Sequence, residues 1–116
     1  MAIINIIMGK EQAIRNVATT QDIDMRFAYG KKTVVVDRIT AIDYTNAATL
    51  LTVGLKLGSG EMILQSEVPT VAGRGITTSS PIYVNTAFKP FMRIVGGTAG
   101  DILELFVYGR VLDDEL

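Results

Sequence analysis

Two absences narrow the chemistry open to this chain of 116 residues, which contains neither histidine nor cysteine. Triads of the Ser-His-Asp and Cys-His kinds are impossible without them. So are H-E-x-x-H zinc sites, zinc ribbons and disulfides. The usual general base and the usual near-neutral proton switch go with the histidine. Carboxylates remain. Asp22 and Asp24 stand two apart, but no further Asp, Asn or Glu and no loop glycine follows at calcium-loop spacing, so they read as a solvated turn or strand end. Asp113, Asp114 and Glu115 read as a solubilising tail. Carboxylates for glycoside hydrolysis pair in space rather than in sequence and stay open, although so small a domain rarely encloses the cleft. Gly73-Arg74-Gly75 lacks the lysine and the strand-then-helix setting of a phosphate loop. Gly96-Gly97-Thr98-Ala99-Gly100 reads as turn chemistry.

The eight aromatics (Phe27, Tyr29, Tyr44, Tyr83, Phe88, Phe91, Phe106 and Tyr108) have basic neighbours in Arg26, Lys89, Arg93 and Arg110. That pairing would suit a stacking platform for single-stranded nucleic acid. Net charge is −1, however, and the basic residues are scattered singly apart from Lys31-Lys32. Such a balance carries no nucleic-acid footprint. Phe27, Phe91 and Phe106 are therefore expected in the core, with the tyrosines at the rim. No catalytic residue, metal ligand or cofactor site is expected, and no nucleic-acid or membrane partner. The apolar start, Met1 to Met8, lacks the parts of a signal peptide and is too short for a spanning helix.

The elements that would position these residues are strands. Val, Ile, Thr and Tyr alternate with Gly, Asn, Ser and Pro at short intervals, and no sustained helical period appears. Leu51, Val53, Leu55 and Leu57 share one face of a strand over Leu50 to Leu57. Gly58-Ser59-Gly60 turns it into a hairpin with Glu61 to Ser66. A second hairpin is expected from Phe91–Val95 through Gly96–Gly100 to Asp101–Leu112. There Leu103, Leu105, Val107 and Val111 face one way, and Ile102, Glu104, Phe106, Tyr108 and Arg110 the other. That second face is apolar enough to imply cover by a sheet edge, an arm or a neighbouring subunit. Thr33 to Tyr44 and Pro81 to Thr86 read as strands, and Pro69 to Ser80 as a surface loop with at most a brief strand. Gln12 to Val17 and Ile23 to Phe27 suit strands, while Gly9 to Val17 would also suit a short helix. Seven to nine strands in residues 1–116 predict one all-β domain, an antiparallel β-sandwich and preferably a jelly-roll-like one, with an immunoglobulin-like sandwich open.

Two stretches carry a family likeness: Phe91 to Gly109, and Val35-Val36-Asp37-Arg38-Ile39 with Asn46 to Gly54. Their order of strand, Ala-Thr bend, strand, Gly turn and final strand resembles small jelly-roll-like structural proteins of tailed bacteriophages, across Thr33 to Gly109. The resemblance implies a capsid cement, or decoration, protein on the surface of a head assembled in the host cytoplasm. It would bind the major capsid protein and staple capsomers as a dimer or trimer, with no catalytic residue to carry over. Lambda-type decoration proteins are mixed α/β and do not fit. The candidate assembly interface comprises the apolar segment Ile3, Ile4, Ile6, Ile7 and Met8, together with Phe106, Tyr108 and Arg74. The segment 1–8 suits either an arm that joins a neighbour's sheet edge or an ordinary first strand. A ligand- or receptor-binding module of a phage tail is the alternative, and would use a tyrosine patch near Tyr29, Tyr44 or Tyr83.

Overall fold

A computed structural model describes residues 2–15, 20–25, 33–58, 60–78, 80–84 and 88–113, with side chains throughout except in 2–15 and 111–113. Its strands are β1 (Ala2–Arg15), β2 (Thr20–Asp24), β3 (Thr33–Asp43), β4 (Leu50–Leu57), β5 (Gly60–Glu67), β6 (Ile76–Thr77), β7 (Ile82–Val84), β8 (Lys89–Val95) and β9 (Asp101–Asp113). No helix occurs among the described residues. All pairings are antiparallel. They build sheet A, in the order β1-β9-β3-β6 with β7 also on β3, and sheet B, in the order β2-β8-β4-β5. Both β6 and β7 lie along β3, at Thr40–Ala41 and at Val34–Val36, so they act as two halves of one interrupted strand. Pro81 falls in the interruption, where a residue without an N–H cannot continue the ladder. Counting β6 and β7 together leaves eight strand positions in two four-stranded sheets, with the chain crossing repeatedly between them. This is the jelly-roll form of the antiparallel sandwich.

Period-two patterning places one face of each central strand in the core. Val34, Val36, Ile39 and Ala41 of β3, with Leu103, Leu105 and Val107 of β9, meet Leu51, Val53 and Leu55 of β4 and Met92 and Ile94 of β8. Ile23, Ile76, Val84 and Phe88 close the sides of this layer. A bulge at Asp37 shifts the alternation by one, so that Val34 and Val36 before it and Ile39 and Ala41 after it all face inward. A matching bulge at Met8 sits on the opposite flank of β9, at nearly the same level.

Several expectations need adjusting. The connection Gly96–Gly100 does not close a hairpin: β8 pairs with β2 and β4 in sheet B, while β9 pairs with β1 and β3 in sheet A. Gly96 (φ 70°) and Gly100 (φ 88°) turn the chain across the sandwich instead. In the first hairpin Gly60 already pairs with Leu57, so the connection shortens to residues 58 and 59. Residues 9–15 continue β1 and are not helical, while 16–19 lie outside the described residues. The strand expected to run to Phe27 ends at Asp24, and the one expected over Pro81 to Thr86 spans Ile82–Val84. Phe106 is half-buried on the outer face of sheet A rather than in the core, and Phe27 and Tyr29 fall outside the described residues.

Candidate functional site

Two outer faces carry the side chains that chemistry or binding would use. On sheet B, Phe91 is fully buried yet points away from the core, over Gly54 of the neighbouring strand. A side chain at Gly54 would run into the Met62 carbonyl and come within 3.0 Å of the Phe91 ring. The missing Cβ is therefore what lets the ring lie flat on the sheet. Lys56 Nζ and the Arg93 guanidinium roof the ring, each 5.2 Å from its centroid. Both cations are paired in turn. Arg93 donates to Asp22 at 2.7 and 2.9 Å and to Glu61 at 2.8 and 3.1 Å. Lys56 reaches Asp22 and Asp24, at 2.9 Å each.

Electrostatics follow the geometry. Burial works to raise the Asp22 carboxyl, but the bonds from Arg93 and Lys56 outweigh it and hold the group below its ordinary range. The bond from Arg93 likewise lowers Glu61. Burial would lower Lys56, yet Asp24 and Asp22 override it and keep the ammonium charged. Asp22 and Asp24 are thus neither a calcium loop nor a free turn; they anchor a closed ion network on strand β2. No cluster of three or more acidic side chains suited to a metal occurs among the described residues. Sequence reading missed this network. Its one local signal was Gly54, a lone glycine inside an apolar strand, which marks a close approach.

Sheet A carries a different surface. Phe106 and Tyr108 stand side by side on β9, rings 6.4 Å apart and nearly parallel at 10°. Across the ladder, the exposed Arg38 lays its guanidinium 5.1 Å over the Tyr108 ring. Next along the strand, Arg110 forks onto the bulged Asp37 at 2.9 and 3.1 Å. At the far end Tyr44 donates to Glu104 at 3.3 Å, and burial together with that carboxylate pushes the phenol up. Ile102, Tyr44 and Tyr83 leave 36%, 43% and 68% of their surface in water, an apolar fringe around the half-buried row. Side-chain cover of the second β9 face thus comes in part from Arg38 and Tyr44.

The candidate interface residues are brought together only in part. Ile3, Ile4, Ile6 and Ile7 pair by backbone with Leu112, Val111, Gly109 and Tyr108, and Met8 sits in the bulge. This segment is thereby a strand of its own sheet, adjacent to Tyr108, and the opposite edge of β1 ends sheet A. Arg74 lies apart, exposed in the β5–β6 connection, with Nη1 3.5 Å from Thr70 Oγ1. Its neighbour Gly73 (φ 81°) donates its N–H to the Asp43 carbonyl at 2.8 Å, so Gly73-Arg74-Gly75 is a turn docked on β3. Tyr44 and Tyr83 form no common patch. Tyr83 pairs opposite Val35 and Tyr44 follows Asp43, which separates them by roughly 30 Å of strand.

These features define a class by fold: a two-sheet antiparallel sandwich of jelly-roll form. Neither the models of known protein families nor the curated protein sequences match the chain. Solved structures share its fold. A chain of the acidic stable capsid of Helicobacter pylori bacteriophage KHP30 superposes with a TM-score of 0.53 at 11% identity, over 90% of this chain and 94% of its own. Chitosan-binding module 1 of a chitosanase/glucanase from Paenibacillus sp. IK-5 gives 0.56 at 17% identity, over 86% and 75% of the two chains. A Bacteroides thetaiotaomicron chain described as an α-L-fucosidase gives 0.56 at 7% identity over 88% of this chain, which spans only 22% of the fucosidase's length.

Proposed function

We propose that this chain is a non-enzymatic structural protein of a phage particle, a cement or decoration protein on the capsid surface. It binds the major capsid protein and staples neighbouring capsomers, as a dimer or trimer. The observation that carries this reading is the end-to-end match to a capsid chain of nearly equal size, 90% of one against 94% of the other. The surface chemistry agrees with it: the acids of sheet B are tied up by Arg93 and Lys56, while sheet A offers aromatic and arginine side chains, the types that dominate protein interfaces.

The test is reconstitution with heads that lack the protein. Stoichiometric co-sedimentation is expected, and Tyr108→Ala together with Arg38→Ala should weaken it by about tenfold or more with the circular dichroism spectrum unchanged. Absence of co-sedimentation at any concentration sinks the reading. Removing residues 1–8 is a poorer variant, because it also strips the Ala2–Ile7 rungs from β9. The alternative, a ligand- or receptor-binding module of a phage tail, is favoured by the match to the chitosan-binding module. It predicts glycan-array binding that Tyr83→Ala removes.

A further inference from the structure

Asp43 ends β3 and Asp101 begins β9, and the two carboxyls are the most deeply buried acids of one tip of the sandwich, 2% and 0% exposed. Asp43 Oδ1 accepts the backbone N–H groups of Thr45 at 3.0 Å and Asn46 at 3.2 Å. Asp101 Oδ1 accepts Asn46 Nδ2 at 2.7 Å, and its Oδ2 accepts the Thr98 N–H at 3.0 Å. Asn46 thus bridges both acids. The fourth oxygen, Asp43 Oδ2, is buried with no N–H or O–H donor. An ionised oxygen in that position would be buried beside a second carboxylate with no donor to offset it, so both burial and Asp101 disfavour its charge.

We propose that Asp43 and Asp101 form a one-proton latch that fastens the β3–β4 turn to the head of β9, closed in acid and sprung when the proton leaves. With the proton on Asp43 Oδ2 the orphan oxygen becomes a donor to Asp101, and every polar atom of the pair is satisfied. Charge and burial agree on which acid holds it. Burial, then Asp101, raise the Asp43 carboxyl to about 6 against the opposing N–H bonds of Asn46 and Thr45. Burial also works to raise Asp101, but the bonds from Asp43, Thr98 and Asn46 win and keep it ionised.

The surrounding elements supply few other charges. Glu104 of β9 is engaged by Tyr44. Arg74 turns to Thr70, and β1 pairs with the head of β9 by backbone at Arg15 and Asp101. Residues 44–49 and 96–100 contain no charged side chain. The latch holds whether or not the capsid reading does.

The absence of histidine clears the window in which the latch is read, since no other side chain ordinarily titrates between pH 5 and 7. In the intact chain, the Thr45, Asn46 and Thr98 amide resonances should titrate together with a midpoint near the Asp43 value. Because that value is raised, the stabilisation is complete below pH 3.8 and lost as pH rises through about 6. The folding equilibrium constant should therefore fall about tenfold from pH 5 to 7. Asp43→Asn, whose amide donates where the protonated acid did, should hold the acid-side stability to pH 8 and abolish the slope. Amides that do not move between pH 5 and 7, or an Asp43→Asn slope equal to wild type, overturn the latch. So does a pH 8 stability restored by calcium alone and lost in Asp43→Asn, which would make the pair a cation site.

Discussion

At the scale of single residues, what matters most on sheet B is an atom that is missing. Phe91 gains full burial on an outward face because Gly54 offers it bare backbone, and Lys56 and Arg93 then close over the ring. Adding one methyl should undo this. In Gly54→Ala the new carbon meets the Met62 carbonyl, which is backbone and yields only if β5 moves, and it sits within 3.0 Å of the ring. Overpacking of this kind costs about 3 kcal/mol. Urea unfolding measures it, and a loss below about 1 kcal/mol would mean that the ring does not depend on the glycine. The chemistry that the chain lacks was plain from composition, because histidine and cysteine are simply not there. The ion network was not plain. Lys56 and Glu61 face each other across one hairpin, but Asp22 and Arg93 lie far from them and from each other in sequence, and only the pairing of β2, β8 and β4 brings all four onto one face.

At the scale of elements, turns decide which sheet a strand enters. Gly96 and Gly100 flank the β8–β9 crossing with left-handed backbones, but their surroundings differ. A side chain at Gly100 would meet open space, whereas one at Gly96 would collide with Thr49, whose Cβ lies 2.7 Å away. Gly100→Ala should therefore cost only the left-handed strain, about 1 kcal/mol, and Gly96→Ala clearly more, about 3 kcal/mol. Thermal melts of the two variants rank them, and equal losses would show that Thr49 gives way freely. The same crossing explains where sequence reading stopped. Alternation identified Leu50–Leu57 to the residue and the inward set Leu103, Leu105 and Val107, since a strand face is a local property. It could not assign the strand's partner. A two-residue connection, as after Leu57, leaves room only for a hairpin, while the five residues Gly96–Gly100 are long enough to cross the roughly 10 Å between sheets. The interface candidates were legible to the same degree: Tyr108 and Phe106 were rightly put on one face, but Arg74 is held elsewhere by a turn whose docking on Asp43 is non-local.

At the scale of the whole molecule, two sets of carboxyls pull its stability in opposite directions with pH. Asp22 and Glu61 on sheet B are held below their ordinary values of 3.8 and 4.5, so what they contribute is present above those values and fades as pH falls further. Asp43 at the tip is raised to about 6, so its contribution is present in acid and fades on the way to neutrality. Only a narrow band satisfies both. Stability should peak at about pH 4.5–5, below the usual optimum for proteins that owe their acid limit to ordinary ion pairs. Salt separates the two limbs. Asp22 and Glu61 keep 24% and 41% of their side-chain surface in water, so 0.5 M sodium chloride should flatten the acid limb by screening. The buried tip is screened far less, and the decline from pH 5 to 7 should persist. Melting temperatures from pH 3 to 8 at low and high salt measure both limbs, and a peak at or above pH 7 would show that the tip contributes nothing to the balance.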